Sequence, residues 1–300
     1  NLFQPMPSYR MGGGGRFGRS SKTTGKNHPG GVMVHYYLQE KPADSVEVKL
    51  SFHTQSGELI RAFSSKAKER ADKLEVKENG NRFIWDMRYP AGKTFKGMIM
   101  WAGRLTGPRV VPGNYMVKLT IGDQTQEQNF EILKDPRSES SLEDMQAQFD
   151  FLKDVVDKAS EAHQAIIDIR DIRTQIKTYT DKLKDDDKME DVMEKAKSIT
   201  KTMTEVEEKL YQTKNRSRQD PLNFPIKLTN KLAHLNSLNG NGDFRPTAQS
   251  YQVRDELTKQ IDKALDRFRK VVNEEIPELN RMIRERAVDP IMMKEKPPVN

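Results

Sequence analysis

From residue 32 to residue 133 the apolar residues alternate with polar ones at period two, with β-branched and aromatic side chains enriched between turn signals, the mark of half-buried strands. The pattern predicts strands over 32–38, 46–52, 58–63, 81–88, 98–101, 115–121 and 125–133. Gly57 and Gly122 sit in the turns, where glycine accepts the positive φ that tight hairpins require. Pro112-Gly113-Asn114 feeds the run Tyr115, Val117, Leu119 and Ile121, whose alternate positions face one side of a sheet. Seven short strands in about 100 residues, with no helix between them, predict an antiparallel β-sandwich of immunoglobulin or fibronectin type.

After Asp135-Pro136-Arg137 the period changes to three and four. Ser140 and Ser141 offer N-cap oxygens, with Glu143 and Asp144 in the first turn. Met145, Phe149, Leu152, Val156, Ala159, Ala162, Ile166, Ile169, Ile172, Ile176, Tyr179 and Leu183 then predict one helix of about 40 residues, roughly 60 Å long. The acidic run 185–187 marks its end. Met189, Val192, Ala196, Ile199, Met203, Val206 and Leu210 form an a/d seam for a second helix. A shorter helix is expected over 226–238, broken by Asn239-Gly240-Asn241-Gly242. The last begins near Thr247 and carries Leu257, Ile261, Ala264, Phe268, Val272, Ile276, Leu279 and Ile283, with Pro277 interrupting it. Each helix is apolar on one stripe only, so the stripes must cover one another in an elongated antiparallel three- or four-helix bundle. The expected class is therefore α+β and multidomain: a Gly-rich basic arm over 1–31, a β-sandwich over 32–135, a helical bundle over 139–287 and a tail over 288–300.

Composition narrows the function. Hydrophobic residues make up 35% and charged residues 32% of the 300, where about 25% charged is usual, so the core must be built from narrow stripes. No apolar run approaches the ~18 residues of a membrane span. Cysteine is absent, which excludes disulfides, thiolate metal sites and cysteine nucleophiles. The chain opens Asn1-Leu2-Phe3, with Pro5 and Pro7 where a signal peptide would be apolar, and is read as a piece of a longer polypeptide. The net charge is +7, but residues 141–300 hold 29 basic and 30 acidic side chains, leaving the excess in residues 1–140. Five of those cations, Arg10, Arg16, Arg19, Lys22 and Lys26, lie in an arm that contains no acid.

Catalytic and cofactor motifs fail on context. Gly13, Gly15 and Gly18 satisfy G-x-G-x-x-G, but no strand leads in and no helix follows. Ser20 and Asn27 occupy two required positions of a phosphate loop around Gly25-Lys26. The five histidines show no metal-ligand spacing, and no nucleophile elbow is present. Neither a cofactor nor a metal is expected, and no catalytic residue is assigned. Tyr9, Arg10, Arg16, Phe17, Arg19, Lys22 and Lys26 interleave aromatic and basic residues on glycine, as flexible single-strand binders do. The folded regions add no basic face to extend that footprint, which favours an arm docked on protein over one bound to nucleic acid. Trp101 and Arg104 are further partner-contact candidates. The Met-rich tail around Ile291-Met292-Met293 is expected to be disordered or docked on a neighbour.

Several strings carry a resemblance. Tyr9-Arg10, then Gly25-Lys26-Asn27-His28-Pro29-Gly30-Gly31-Val32 into His35-Tyr36-Tyr37-Leu38, resembles the segment after the β-propeller in large Bacteroidetes proteins with sortilin-like, BNR-type repeats, often labelled glycosyl hydrolases. Asn79-Gly80-Asn81-Arg82-Phe83-Ile84-Trp85-Asp86-Met87-Arg88-Tyr89-Pro90 and Val111-Pro112-Gly113-Asn114-Tyr115 resemble its sandwich motifs. Gln146-Ala147-Gln148-Phe149 and Tyr211-Gln212-Thr213-Lys214-Asn215-Arg216, running on to Asp220-Pro221-Leu222-Asn223-Phe224-Pro225, resemble its helical region. The resemblance implies an exported parent protein, periplasmic, outer-membrane-associated or extracellular, with an N-terminal propeller that would hold any hydrolase chemistry. It implies for this chain a non-catalytic accessory role, docking to the propeller, to another protein chain or to glycan. The alternative it leaves is a polysaccharide-active hydrolase whose site lies mainly in the propeller.

Overall fold

The computed structural model describes residues 1–11, 23, 30–183 and 189–286. The fold is mixed α+β, and the chain divides into two compact units. The arm from Gly12 to Pro29 (Thr23 apart), the acidic run 185–187 and the 288–300 tail lie outside the described residues, and with them Arg16, Phe17, Arg19, Lys22 and Lys26.

The first unit holds residues 1–91, 106–154 and 238–247. Its strands are β1 (Ser8–Arg10), β2 (Val32–Leu38), β3 (Val48–Thr54), β4 (Leu59–Ser64), β5 (Asn79–Trp85), β6 (Gly113–Ile121) and β7 (Gln124–Lys134). Five form a sheet in the order β1-β7-β6-β3-β4, and β2 pairs with β5 in a second sheet. All pairings are antiparallel except β1 on β7. Alternation decides which side chains face inward: Val32, Val34, Tyr36 and Leu38 of β2 are buried, as are Val117 and Leu119 of β6. Both sheets feed one apolar cluster. At its centre Trp85 of β5 stacks on Phe52 of β3, with centroids 4.3 Å apart, and Phe63 and Phe130 meet Phe52 edge-on. The Trp85 indole N–H donates to the Arg88 carbonyl at 3.2 Å, so no buried donor is orphaned there. Gly31 is required beside this residue: its φ is +129°, and a Cβ would lie 2.3 Å from the Trp85 carbonyl oxygen.

Two expectations change. The arm was expected to show no strand, yet Ser8–Arg10 extends the large sheet and Leu2 bridges Tyr36 at the edge of the small one. Three residues are too short to display a period in sequence. The 98–101 segment, expected as a strand, has no strand partner and belongs to the second unit.

Helix α1 (Leu142–Leu183) starts in the first unit. Ser141 caps it: its hydroxyl accepts from the Asp144 amide at 3.1 Å while the Asp144 carboxylate accepts from the Ser141 amide at 3.2 Å.

The second unit holds residues 92–105, 155–237 and 248–300. It contains the rest of α1, then α2 (Glu190–Leu210), α3 (Leu228–Asn239, its last two residues apart), α4 (Ala248–Lys270) and α5 (Ile276–Glu285). Every expected seam residue of the second helix, Met189 through Leu210, is buried. On α1 the stripe is buried as far as Ile169 apart from half-buried Phe149, but Ile172, Ile176 and Tyr179 are only half-buried. Pro277 does not break the last helix. A π-helical turn over Val271–Glu275 runs directly into α5, with the Ile276 N–H bonded to the Val271 carbonyl, and Pro277 follows in the first turn of α5, so the helix continues past it.

Replacing Trp85 by alanine should lower unfolding stability by about 4 kcal/mol, through lost transfer energy and the cavity left under Phe52. Guanidinium denaturation of the two proteins checks this, and an unchanged midpoint would remove Trp85 from the centre of the core.

Candidate functional site

Residues 92–105 cross the helices of the second unit as an extended strap whose backbone polar groups are taken up by side chains. A segment without strand partners must satisfy its N–H and C=O groups in this way or leave them unpaired. Lys93 N–H donates to Ser160 Oγ at 3.0 Å, and the Lys93 carbonyl accepts from His163 Nδ1 at 2.6 Å. Ile99 N–H donates to the Tyr211 hydroxyl at 2.8 Å.

Phe95 is the strap's anchor. Its ring meets His163 at 5.1 Å and Tyr211 at 4.9 Å, both edge-on, and the Arg170 guanidinium lies 4.6 Å from its centroid. Arg170 also donates to the Lys96 carbonyl at 3.2 Å and to buried Glu207 at 2.7 Å. Arg173 pairs with the second oxygen of Glu207 and donates to Thr204 at 2.9 Å. Burial holds the His163 imidazole below its ordinary pKa, opposed in part by the hydrogen bond to Lys93. Nδ1 donates to a carbonyl and burial disfavours the charged form, so the ring is the neutral Nδ1–H tautomer, and its buried Nε2 has no hydrogen-bond partner among the described residues.

Beyond Phe95 the strap presents Trp101. Asn230 grips that residue's backbone on both sides, accepting from its N–H at 2.8 Å and donating to its carbonyl at 2.8 Å. His234 Nε2 donates to the same carbonyl. The next residue, Ala102, has φ +50°, a left-handed conformation that costs a non-glycine residue about 1 kcal/mol and is held here by the grip. Gly103 follows because a Cβ would come within 2.9 Å of both Ala233 Cβ and Asn230 Nδ2. Arg104 is fixed in turn: its N–H donates to Ser237 at 2.9 Å and its carbonyl accepts from Asn236 at 2.8 Å. With the backbone locked, the Trp101 side chain is 38% exposed and Arg104 is exposed.

The other described candidate behaves differently. Arg10, in the first unit, is 3% exposed. It pairs with Asp243 at 2.7 Å and donates to Gln148 at 3.3 Å, and Gln148 in turn donates to the carbonyls of Asn239 and Gly242. Desolvation lowers the guanidinium's pKa and Asp243 opposes it. Its charge is paired inside its own unit.

The structure thus places Trp101 and Arg104 on the same gripped segment of the second unit, and Arg10 in the first unit. Phe95, Asn230 and His234 were not singled out in the sequence. The only hint of them there was three glycines, Gly92, Gly97 and Gly103, in twelve residues, too dense for a regular strand. Among the described residues no group of His, Asp or Glu side chains could hold a metal ion, and no helix is long and apolar enough to cross a membrane. No protein-family model matches the chain, and no curated protein matches it.

The lowered pKa of His163 fixes the sign of a pH effect. The unfolded imidazole takes up a proton near its ordinary pKa of about 6.5, while the folded one resists protonation to lower pH. Its contribution to stability is therefore complete above about pH 6.5 and is lost as pH falls toward the depressed folded value. The denaturation midpoint should drop between pH 7.5 and pH 5, as a check at about those two values, and should drop less in His163→Gln; equal drops in both proteins would assign the effect elsewhere.

Proposed function

We propose that this chain is a non-catalytic interaction region of a larger exported β-propeller protein, docking to the propeller, to a partner protein or to glycan. The carrying observation is that Trp101 is partly exposed on a backbone held at both ends of its peptide by Asn230 and His234. An aromatic ring on a pre-ordered loop loses little entropy on association, and tryptophan and arginine are the side chains that most often dominate contact surfaces. Arg104 beside it supplies a cation or a set of donors for a carboxylate, a carbonyl or sugar hydroxyls.

The first unit is read in the same proposal as an immunoglobulin-like sandwich, and the helices of the second as an antiparallel bundle that serves as a rigid support. Supporting the sandwich are the order β4-β3-β6-β7 with β1 added in parallel at the edge, and the two-stranded β2-β5 sheet sharing its core. Tyr115, near the start of β6, donates its hydroxyl proton to the Val111 carbonyl four residues upstream, the arrangement of a tyrosine corner. Burial pushes that phenol up to about 12. Supporting a non-catalytic role is the use of the buried ionisable groups: Glu207 and His163 are occupied in holding the strap.

The test is direct binding of the full chain to the separately expressed propeller and to soluble polysaccharides, with a hydrolysis assay on the same polysaccharides. Trp101→Ala and Arg104→Ala should each weaken binding about tenfold or more while leaving the unfolding midpoint within experimental error. Binding unaffected by both substitutions, no binding to any of these probes, or polysaccharide hydrolysis by the chain alone would overturn the proposal.

A further inference from the structure

Helix α2 has two charged faces that differ in how they are used. On the side toward α4 and α5 its charges have partners within the chain: Lys195 with Glu278 at 2.5 Å, Glu205 with Arg267 at 2.5 Å, and Asp191 with Arg286. On another side Glu190, Glu194, Lys197 and Lys201 are all exposed, and among the described residues none of them forms an ion pair. These four line a groove of about 690 Å³ between α2 and α1, with half-buried Ile176 and Met193 in its wall. This is also where the apolar stripe of α1 stays incompletely covered.

The order of those charges is self-complementary. Their spacing of four, three and four residues keeps them on one face of the helix, over roughly 16 Å at 1.5 Å per residue. They are symmetric in position and opposite in sign about the point midway along the helix between residues 195 and 196. A second α2 laid antiparallel across a two-fold axis at that point places Glu190 against Lys201 and Glu194 against Lys197, and the symmetry repeats both pairs. A parallel arrangement would set like charges level with one another.

We propose that this face of α2, with the groove beside it, is the contact between two copies of the chain, packed antiparallel about a two-fold axis. A closed isologous contact of this kind uses one patch on each copy and adds no further subunits. The ion pairs set the direction and register, since exposed pairs contribute little energy each, and burial of Met193 and Ile176 supplies the attraction. The dimer should therefore be weak, reversible and salt-sensitive. Nothing in it depends on the role assigned to Trp101.

Sedimentation velocity on the 300-residue chain over a concentration series tests the proposal. The chain should pass from monomer to dimer and no further, with the dissociation constant rising roughly tenfold from low to high salt. Glu190→Lys/Glu194→Lys makes the face wholly basic and Lys197→Glu/Lys201→Glu makes it wholly acidic, so each double variant alone should be monomeric. Mixed in equal amounts, the two variants should dimerise again, which also shows that both remain folded. A wild-type chain that stays monomeric throughout, as it would if the groove were covered by residues 287–300 or suited only a different partner, overturns the proposal. So do double variants that self-associate as well as the wild type, or a mixture that fails to recover the dimer.

Discussion

A carboxylate taken out of water must be paired, and in the helical unit Glu207 meets that constraint in a way that fixes much else. Its two oxygens are held by Arg170 and Arg173, so α2 is tied to α1 at this level. Arg170 is then committed in position, and its guanidinium covers the Phe95 ring and reaches the Lys96 carbonyl. Leaving the buried Glu207 carboxylate without its arginines would cost several times what an exposed pair is worth. The strap is consequently seated by a charge that it does not itself carry, and the position of Trp101 follows from that seat and from Asn230.

Much of the architecture was legible because it rests on periodicity. Six expected strands lie within two or three residues of where they form, and the second helix seam is buried without exception, since burying one face of a strand or helix leaves a repeat in the sequence. What was not legible depends on contacts remote in the chain. Met98, Ile99, Met100 and Trp101 form a short apolar run as a buried strand would, but a strand also needs a neighbour to receive its hydrogen bonds, and here Tyr211 and Asn230 receive them instead. Nothing in a local window marks an asparagine more than a hundred residues away as the acceptor. The π-helical turn before Pro277 is similar. The proline announced a disturbance, while the neighbouring packing determined that the helix would absorb it rather than stop.

The candidate contact residues were legible only as types. Arginines on a glycine-rich arm look alike in sequence, whether they face a partner or an internal acid. Arg10 pairs with Asp243, and no pattern in the first 31 residues distinguishes it from its basic neighbours. Trp101 and Arg104 were candidates by residue type alone, and the physical reason for their display, a backbone gripped by helix side chains, appears only in three dimensions.

The strap also affects how the polypeptide can be divided. The first unit is left at residue 91 and re-entered at residue 106, and α1 passes from one unit into the other. Each unit is therefore assembled from several separate stretches of chain. A break between residues 135 and 139, where composition changes most sharply, would strand the Phe95 ring on one fragment and its aromatic pocket on the other. Proteolysis at that point would give two pieces that are each incomplete, so inheritance of this region by another protein would have to carry it whole.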